Sequence, residues 1–338
     1  MIKQHSVLVG SVIAAACIFG GVGYLAGLEQ GGGITGIATS GPRRIIDEYK
    51  YISPLIACDI SENQEYLKYS PIADRITKVA QESVSQGAVT NISVYFRDMN
   101  SGRWVGYNEN ENFWPASLMK VPVLIAALSF VEQNPKFLSA RVKLVGDANQ
   151  NINQVFSASQ SAALGNEYSV EDLLKFMAVY SDNNATEAIL KIINPKFIAD
   201  IYSDASVEIP VGKKNYPAYI SPKKYAYFFR LLFNSTYINR ELSNYALLLL
   251  SSADFKEGLV AGIPPEILIA HKFGEQKVST GTTTIKNLHD CGIIYYPEHP
   301  YFLCVMTGGA DFKTQANTIK NISAAVFDEV KNSKLFTK

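Results

Sequence analysis

The spacing of apolar residues changes along the chain between the period of a strand and the period of a helix. Residues 91–99 alternate apolar and polar side chains, and after a turn at 100–102 residues 103–108 return as a second strand, which predicts a β-hairpin. Elsewhere apolar residues recur three and four positions apart, which predicts helices. The predicted helices cover residues 70–86, 117–133, 169–180, 184–193, 221–233, 239–251 and 313–331, and the later strands cover 268–273, 292–296 and 301–307.

Strands therefore occur near both ends of this region, and helices occupy its middle. This order predicts an α+β fold in which about five antiparallel strands form one sheet that is flanked by helices. An all-helical lobe is expected over roughly residues 133–259. A cleft between the sheet and the lobe is the expected place for a binding or catalytic site.

The N-terminal segment differs from the rest of the chain because residues 6–28 carry no charge over 23 positions. A helix needs about 20 such residues to cross a bilayer. Lys3 precedes the segment and favours a cytoplasmic N-terminus, while Arg43 and Arg44 on the far side weaken that preference. A single-pass anchor with an extracytoplasmic catalytic domain is the main prediction. A signal cleaved after residues 14–16, or a lipoprotein-like box before Cys17, remains the alternative, with a secreted domain as the outcome.

The sequence therefore predicts three parts: an anchor or signal at residues 1–28, a flexible linker at 29–50 and a catalytic domain at 51–338. The linker is inferred from its glycines, which include Gly31–Gly33, because such a composition does not form a packed element.

Composition and charge exclude several classes of function. The 338 residues are 47% hydrophobic and 18% charged, which is typical of a globular protein. Basic and acidic residues number 31 each, so no net field favours nucleic acid, and no nucleic-acid partner is expected. The four cysteines and four histidines lack metal-ligand spacing, so no metal and no cofactor is predicted.

Three short motifs carry the candidate chemistry: Ser117-Leu118-Met119-Lys120, Ser181-Asp182-Asn183 and Lys272-Phe273-Gly274. Each motif alone has little weight, and Ser117 alone is best explained as a helix N-cap. Together they are informative, because the first opens a predicted helix, the second lies between two helices and the third closes a predicted strand.

These contexts suit acyl transfer to a serine. Residues three apart share a helix face, so Lys120 can reach the Ser117 hydroxyl and remove its proton. Burial beside Lys272 favours the neutral amine that a base requires. The Ser117 N–H at a helix N-terminus, and an N–H at the expected strand end, Gly274-Glu275, are predicted to stabilise an oxyanion. In the second motif the Ser181 hydroxyl can pass a proton to a leaving nitrogen, and the Asn183 amide can contact the substrate.

With these motifs in this order, residues 70–335 resemble the class A β-lactamase and penicillin-binding-protein superfamily, whose signature is S-x-x-K, S-D-N and K-T-G. The stretches SLMKVPVLIAAL, YSDNNATEAIL, DFKEGLVAGIP and VMTGG are similar to segments of that family. The resemblance implies that Ser117 is acylated, that Lys120 is its base, that Ser181 shuttles protons and that Lys272 is the cation on the strand. It also implies β-lactams or peptidoglycan peptides as substrates, with Asn183, Phe273, Gly274 and Glu275 in the substrate-binding region.

Two departures from the family change the expected activity. Phe273 replaces the K-T-G threonine, whose hydroxyl holds a substrate carboxylate in the family, so Phe273 either narrows the site or packs on the strand. The Ω-loop element that positions the deacylating water has no counterpart in residues 204–219, where Glu208 is the only glutamate. Deacylation is therefore expected to be slow.

Two other classes of function remain open from the sequence. A degenerate binding module for peptidoglycan peptides is one alternative, favoured by Phe273 and the short loop, and a purely structural envelope protein is the other. Cys291 and Cys304 fall on neighbouring predicted strands, where a disulfide and two buried thiols are equally compatible with the sequence.

Overall fold

A computed structural model of the chain describes residues 44, 49–55, 65–146, 148–208, 218–280 and 283–333. These residues belong to one compact unit, Pro42–Lys338. The predicted anchor, most of the linker, Cys17 and Cys58 lie outside the described residues.

The centre of this unit is a five-stranded antiparallel sheet in the order β2-β1-β7-β6-β5. The chain contributes its first hairpin to one edge and its last three strands to the rest, as the sequence predicts. The strands are β1 Asn91–Asp98, β2 Trp104–Tyr107, β5 Ile269–Thr280, β6 Thr283–Ile294 and β7 Tyr301–Gly309, and a separate two-stranded sheet joins β3 Arg141–Lys143 to β4 Glu167–Ser169.

Helices cover both faces of the sheet, so β7 is buried along its whole length. Two hydrophobic clusters fill the two interfaces, one under the helices from the chain ends and one under the helical lobe. The helices are α1 Ser70–Ser85, α2 Lys120–Gln133, α3 Val170–Val179, α4 Asn183–Ile192, α5 Pro195–Asp204, α6 Pro222–Asn234, α7 Arg240–Ser251 and α8 Phe312–Asn332. The α+β fold with a five-stranded antiparallel sheet is confirmed, and the predicted helical lobe also contains the small β3–β4 sheet.

Helix α2 lies inside the lobe. With the turn before it, Ala116–Gln133, it is long and apolar enough to cross a membrane, and it is the only such helix within the described part of the chain. Because 61% of this segment is buried by the rest of the domain, we interpret it as a core helix.

The structure corrects three details of the predicted elements. Strands β5 and β6 extend into a hairpin beyond the predicted 268–273 and 292–296, and the polar residues of its exposed end hide the strand period. Strand β5 therefore does not end at Gly274-Glu275, as the sequence suggested. Helix α5 and the short β3–β4 sheet were not predicted, the latter because three-residue strands have too few positions to show a period.

Candidate active site

Ser117 lies in a tight 3₁₀ turn, Ala116–Met119, and the α-helix begins three residues later at Lys120. The sequence predicted the helix from Ser117 itself. Ala116 has a left-handed backbone, with φ of 50°, which is unfavourable for a residue with a side chain and is found at functional sites. Such a turn must be held by its surroundings.

Two buried side chains hold the turn from either side. His289 makes a 2.9 Å hydrogen bond from Nε2 to the Trp114 carbonyl, and its Nδ1 accepts the Thr307 N–H. Burial lowers the pKa of His289 to about 4, so the ring is neutral and its two nitrogens can take these two roles. On the other side the Tyr225 hydroxyl donates to the Leu118 carbonyl over 2.9 Å.

Gly274 brings strand β5 against this turn. A Cβ atom at Gly274 would lie 2.9 Å from the Pro115 carbonyl oxygen and 3.0 Å from the backbone nitrogens of Ser117 and Leu118. Only glycine permits so close an approach of two backbones. The first turn of a helix leaves N–H groups without intrahelical partners. The Ser117 N–H lies in such a turn.

Lys120 and Lys272 meet at the hydroxyl of Ser181. The Lys120 ammonium donates to the Ser181 carbonyl, to Ser181 Oγ at 3.1 Å and to Asn183 Oδ1 at 2.7 Å. The Lys272 ammonium donates to Ser181 Oγ at 2.9 Å and to the Phe273 carbonyl at 2.8 Å. The three motifs predicted from the sequence are thus joined through one serine side chain.

Both lysines are buried, with relative exposures of 3% for Lys120 and 1% for Lys272. Burial lowers the pKa of Lys120 to about 7, although the carboxylates of Asp182 and Glu275 oppose the shift. Burial also lowers the pKa of Lys272 to well below its usual value, and the charge of Lys120 adds to this effect. A neutral amine is therefore accessible near neutral pH beside Ser181.

The backbone of Ser181 is also left-handed, with φ of 55°. The hydrogen bonds of the next residue, Asp182, stabilise this conformation. One oxygen of Asp182 caps α4 through the Ala185 N–H at 2.8 Å. The other oxygen accepts hydrogen bonds from three groups of the preceding loop: Asn151 Nδ2 at 2.8 Å, Ser161 Oγ at 2.7 Å and the Ala162 N–H at 2.9 Å. Asp182 therefore ties the loop 149–162 to the second motif.

The side chains of Phe273 and Glu275 have different environments, although both contact the same cleft. The Phe273 ring is 6% exposed and stacks on Phe255 with 4.1 Å between ring centroids, so it is chiefly a packing residue. Glu275 is partly exposed, and its Oε1 accepts the backbone N–H groups of Val155 and Phe156 at 3.0 and 3.1 Å. Burial raises the pKa of this carboxyl group.

A cleft of about 400 Å³ opens over these residues. Its lining includes Ser117, Ser181, Asn183, Phe273, Glu275 and Lys277. Glu208 is exposed and is not among the lining residues, and residues 209–217 beside it lie outside the described part. Among the described residues no three His, Cys, Asp or Glu side chains are grouped to hold a metal ion.

Three contributors to the site were not found from the sequence: His289, Tyr225 and the Asp182-centred loop. Each acts through a contact between residues far apart in the chain, for which a single sequence offers no signal. Cys291 and Cys304, by contrast, were expected on neighbouring strands, and they form a disulfide directly across β6 and β7.

Comparison with solved structures supports the fold. A β-lactamase from Sphaerobacter thermophilus DSM 20745 superposes with a TM-score of 0.63 at 17% identity, covering 79% of this chain and 98% of the other. A class A β-lactamase from Bacteroides cellulosilyticus DSM 14838 gives 0.65 at 16% identity, with coverages of 78% and 99%.

A variant of PBP-A, solved as an acyl-enzyme complex with penicillin G, gives a TM-score of 0.62 at 18% identity, covering 77% of this chain and 97% of that one. No curated protein matches the chain in sequence. The model of the beta-lactamase enzyme family matches residues 71–330, which include all three motifs and the cleft they line. The chain therefore belongs to the beta-lactamase enzyme family and is a serine hydrolase of the β-lactamase-like kind.

Proposed function

We propose that the protein forms an acyl-enzyme at Ser117 with β-lactams or with amides that resemble peptidoglycan peptides, and that it releases the acyl group slowly. The observation that carries this proposal is the buried Lys120–Ser181–Lys272 network at the cleft that Ser117 lines. The penicillin-G complex of PBP-A, a protein of similar fold, supports the choice of acyl donor.

In the proposed acylation the Ser117 oxygen attacks the amide carbonyl, and the hydroxyl proton moves to the neutral amine of Lys120. The C–N bond then breaks, and the leaving nitrogen receives a proton through the Ser181 hydroxyl. Lys120 and Lys272 both contact that hydroxyl, which gives the proton a continuous path. The Ser117 N–H, and an N–H from β5 near Gly274, are proposed to bind the developing oxyanion.

We infer slow release because we assign no base for the second step within the described part of the chain. Hydrolysis of the ester needs a water molecule held by a general base, and loss of such a base typically lowers the rate by roughly 10²–10⁴-fold. We assign no such role to Glu208, which is exposed and does not line the cleft. The acyl-enzyme is therefore expected to accumulate.

Labelling tests both steps. A fluorescent penicillin should label the protein stoichiometrically at Ser117, with a burst followed by slow turnover, and Ser117→Ala should abolish the burst and the turnover. A fluorophosphonate provides an independent probe of the same hydroxyl, and circular dichroism shows whether the variant is folded. Peptide mapping by mass spectrometry then identifies the modified residue.

Other outcomes would change the proposal. Sustained turnover of benzylpenicillin at ordinary enzyme rates would reveal a second base, and Glu275, Glu208 and Lys120 are the groups to substitute in that case. An absence of any adduct, with peptidoglycan peptides bound but unchanged, would favour the degenerate binding module instead.

We also propose that residues 6–28 anchor the protein in the membrane and that the catalytic domain is extracytoplasmic. The uncharged N-terminal segment supports an anchor, and the Cys291–Cys304 disulfide supports an oxidising compartment outside the cytoplasm.

A further inference from the structure

Glu275 places a carboxylate in the cleft that Ser117 lines. It lies on β5, two residues after Phe273 and two before Lys277, so the three side chains share one face of the strand. All three line the same cleft as Ser117 and Asn183. The Glu275 carboxylate is therefore close to the part of the acyl donor that binds along β5.

The two oxygens of Glu275 are not equivalent. Oε1 accepts both the Val155 and the Phe156 N–H groups, which fixes the carboxylate between the strand and the loop. Oε2 is shielded from solvent and has no hydrogen-bond partner within the described residues. A buried carboxylate oxygen without a donor is unfavourable, and a ligand that brings a donor removes that penalty.

The neighbouring cations do not supply the missing partner. The Lys272 ammonium is directed at Ser181 and the Phe273 carbonyl, and its burial lowers its pKa well below the usual value. Lys277 is exposed at the mouth of the cleft, where solvent and salt screen its charge. Glu275 therefore brings a carboxyl group that neither neighbouring lysine pairs with to the inner part of the cleft.

We propose that Glu275 determines donor specificity: a small rotation of its side chain brings Oε2 to the cleft, where it accepts a hydrogen bond from an N–H group of the substrate. The enzyme then selects acyl donors with a neutral amide or an ammonium group along β5 over donors with a free carboxylate there. This inference rests on the proposed acylation of Ser117. It agrees with Phe273, whose ring packs on Phe255 and supplies no hydroxyl for a carboxylate.

The test compares two β-lactams that differ only in one group, a free carboxylate in the first and the corresponding primary carboxamide in the second. The rate constant for acylation of Ser117 is measured at pH 8 by intact-protein mass spectrometry. Acylation rather than turnover is followed, so that an effect of Glu275 on deacylation does not enter the comparison.

In the unaltered protein the carboxamide should react at least about tenfold faster than the free acid, since placing two like charges together weakens binding by at least this factor. Glu275→Gln should reduce that ratio by about tenfold, because the glutamine is neutral and presents an N–H to the cleft while its oxygen still accepts from the loop. Lys277→Met, the matched control on the same strand face, should leave the carboxamide preferred.

Equal rates for the two donors, faster reaction of the free acid, or a ratio that Glu275→Gln does not change would each overturn the proposal. If neither donor modifies Ser117, the proposed acylation fails, and calorimetric binding of the same pair then decides the role of Glu275 separately. Tighter binding of the carboxamide that is lost in Glu275→Gln would support it, and equal binding would overturn it.

Discussion

Lys120 is held by groups other than the serine it is proposed to activate. Its three N–H groups are directed at two oxygens of Ser181 and at the amide oxygen of Asn183. This is the arrangement of a charged ammonium, which has three donors and no lone pair. Removal of the Ser117 proton therefore requires Lys120 to lose a proton first.

The pH dependence of acylation follows from this requirement. Because burial lowers the pKa of Lys120 to about 7, the neutral base is populated above that pH and lost below it. We predict that the acylation rate is constant above a pH of about 7. Below that pH it should decrease roughly tenfold for each unit by which the pH is lowered. Stopped-flow measurements with a fluorescent β-lactam from pH 5 to 9 would record this profile.

Two variants distinguish the role of Lys120 in this profile. Lys120→Arg keeps the positive charge but cannot act as a base, so it should remain folded and acylate at least about 10²-fold more slowly at every pH. Asn183→Ala, which removes one acceptor of the Lys120 ammonium, should shift the profile to lower pH, and the shift is measured separately from any loss of substrate binding. A profile that is flat between pH 5 and 9 would argue against Lys120 as the base.

At the scale of elements, the sequence predicts what depends on neighbours along the chain. The helix after Ser169 is an example, since the capping box formed with Asp172 is present in the structure. The motif order likewise predicts that Ser117, Ser181 and Lys272 meet between the sheet and the lobe. What the sequence did not predict depends on contacts between remote residues: the bond from His289 to the Trp114 carbonyl, and the bond from the Tyr225 hydroxyl to the Leu118 carbonyl.

The two helix caps at Ser169 and Asp182 provide a matched test of these remote contacts. Ser169→Ala removes a cap on the exposed side of α3 and should lower the free energy of unfolding by about 1 kcal/mol. Asp182→Ala removes the cap of α4 together with the acceptor of three loop donors, and should lower it by roughly 3–5 kcal/mol. Urea denaturation measures both values, and equal losses would mean that the loop contacts contribute no stability.

At the scale of the whole molecule, the described part of the linker contacts the domain. The Arg44 guanidinium donates to the Ser53 carbonyl at 2.7 Å and to Asn234 Oδ1 at 2.8 Å, it also hydrogen-bonds to the Met99 carbonyl, and it lies 5.1 Å from the centre of the Phe233 ring. These contacts connect Arg44 to the end of α6 and to the turn after β1. The stable unit therefore includes Arg44, whereas the glycine-rich composition assigned residues 29–50 to a linker.

Two truncations test the membrane anchor and this boundary together. A chain that begins at residue 42 lacks the proposed anchor but keeps Arg44, so it should leave the membrane fraction and acylate Ser117 like the full chain. A chain that begins at residue 51 should also be soluble, but it loses hydrogen bonds to a charged group that contribute about 1.5–3 kcal/mol. Its Tm should be lower by roughly 3–8 °C in a scan under the same conditions.

Arg44→Ala in the chain that begins at residue 42 is the control, because it removes the guanidinium and leaves the backbone. It should reproduce most of the loss in Tm, since the hydrogen bonds to Ser53 and Asn234 come from this side chain. Equal Tm values for all three soluble chains would indicate that the domain begins at residue 51, as the sequence predicts. Sedimentation of the chain from residue 42 with membranes, at a salt concentration that releases peripheral proteins, would contradict the anchor at residues 6–28, because membrane attachment would then reside in the catalytic domain.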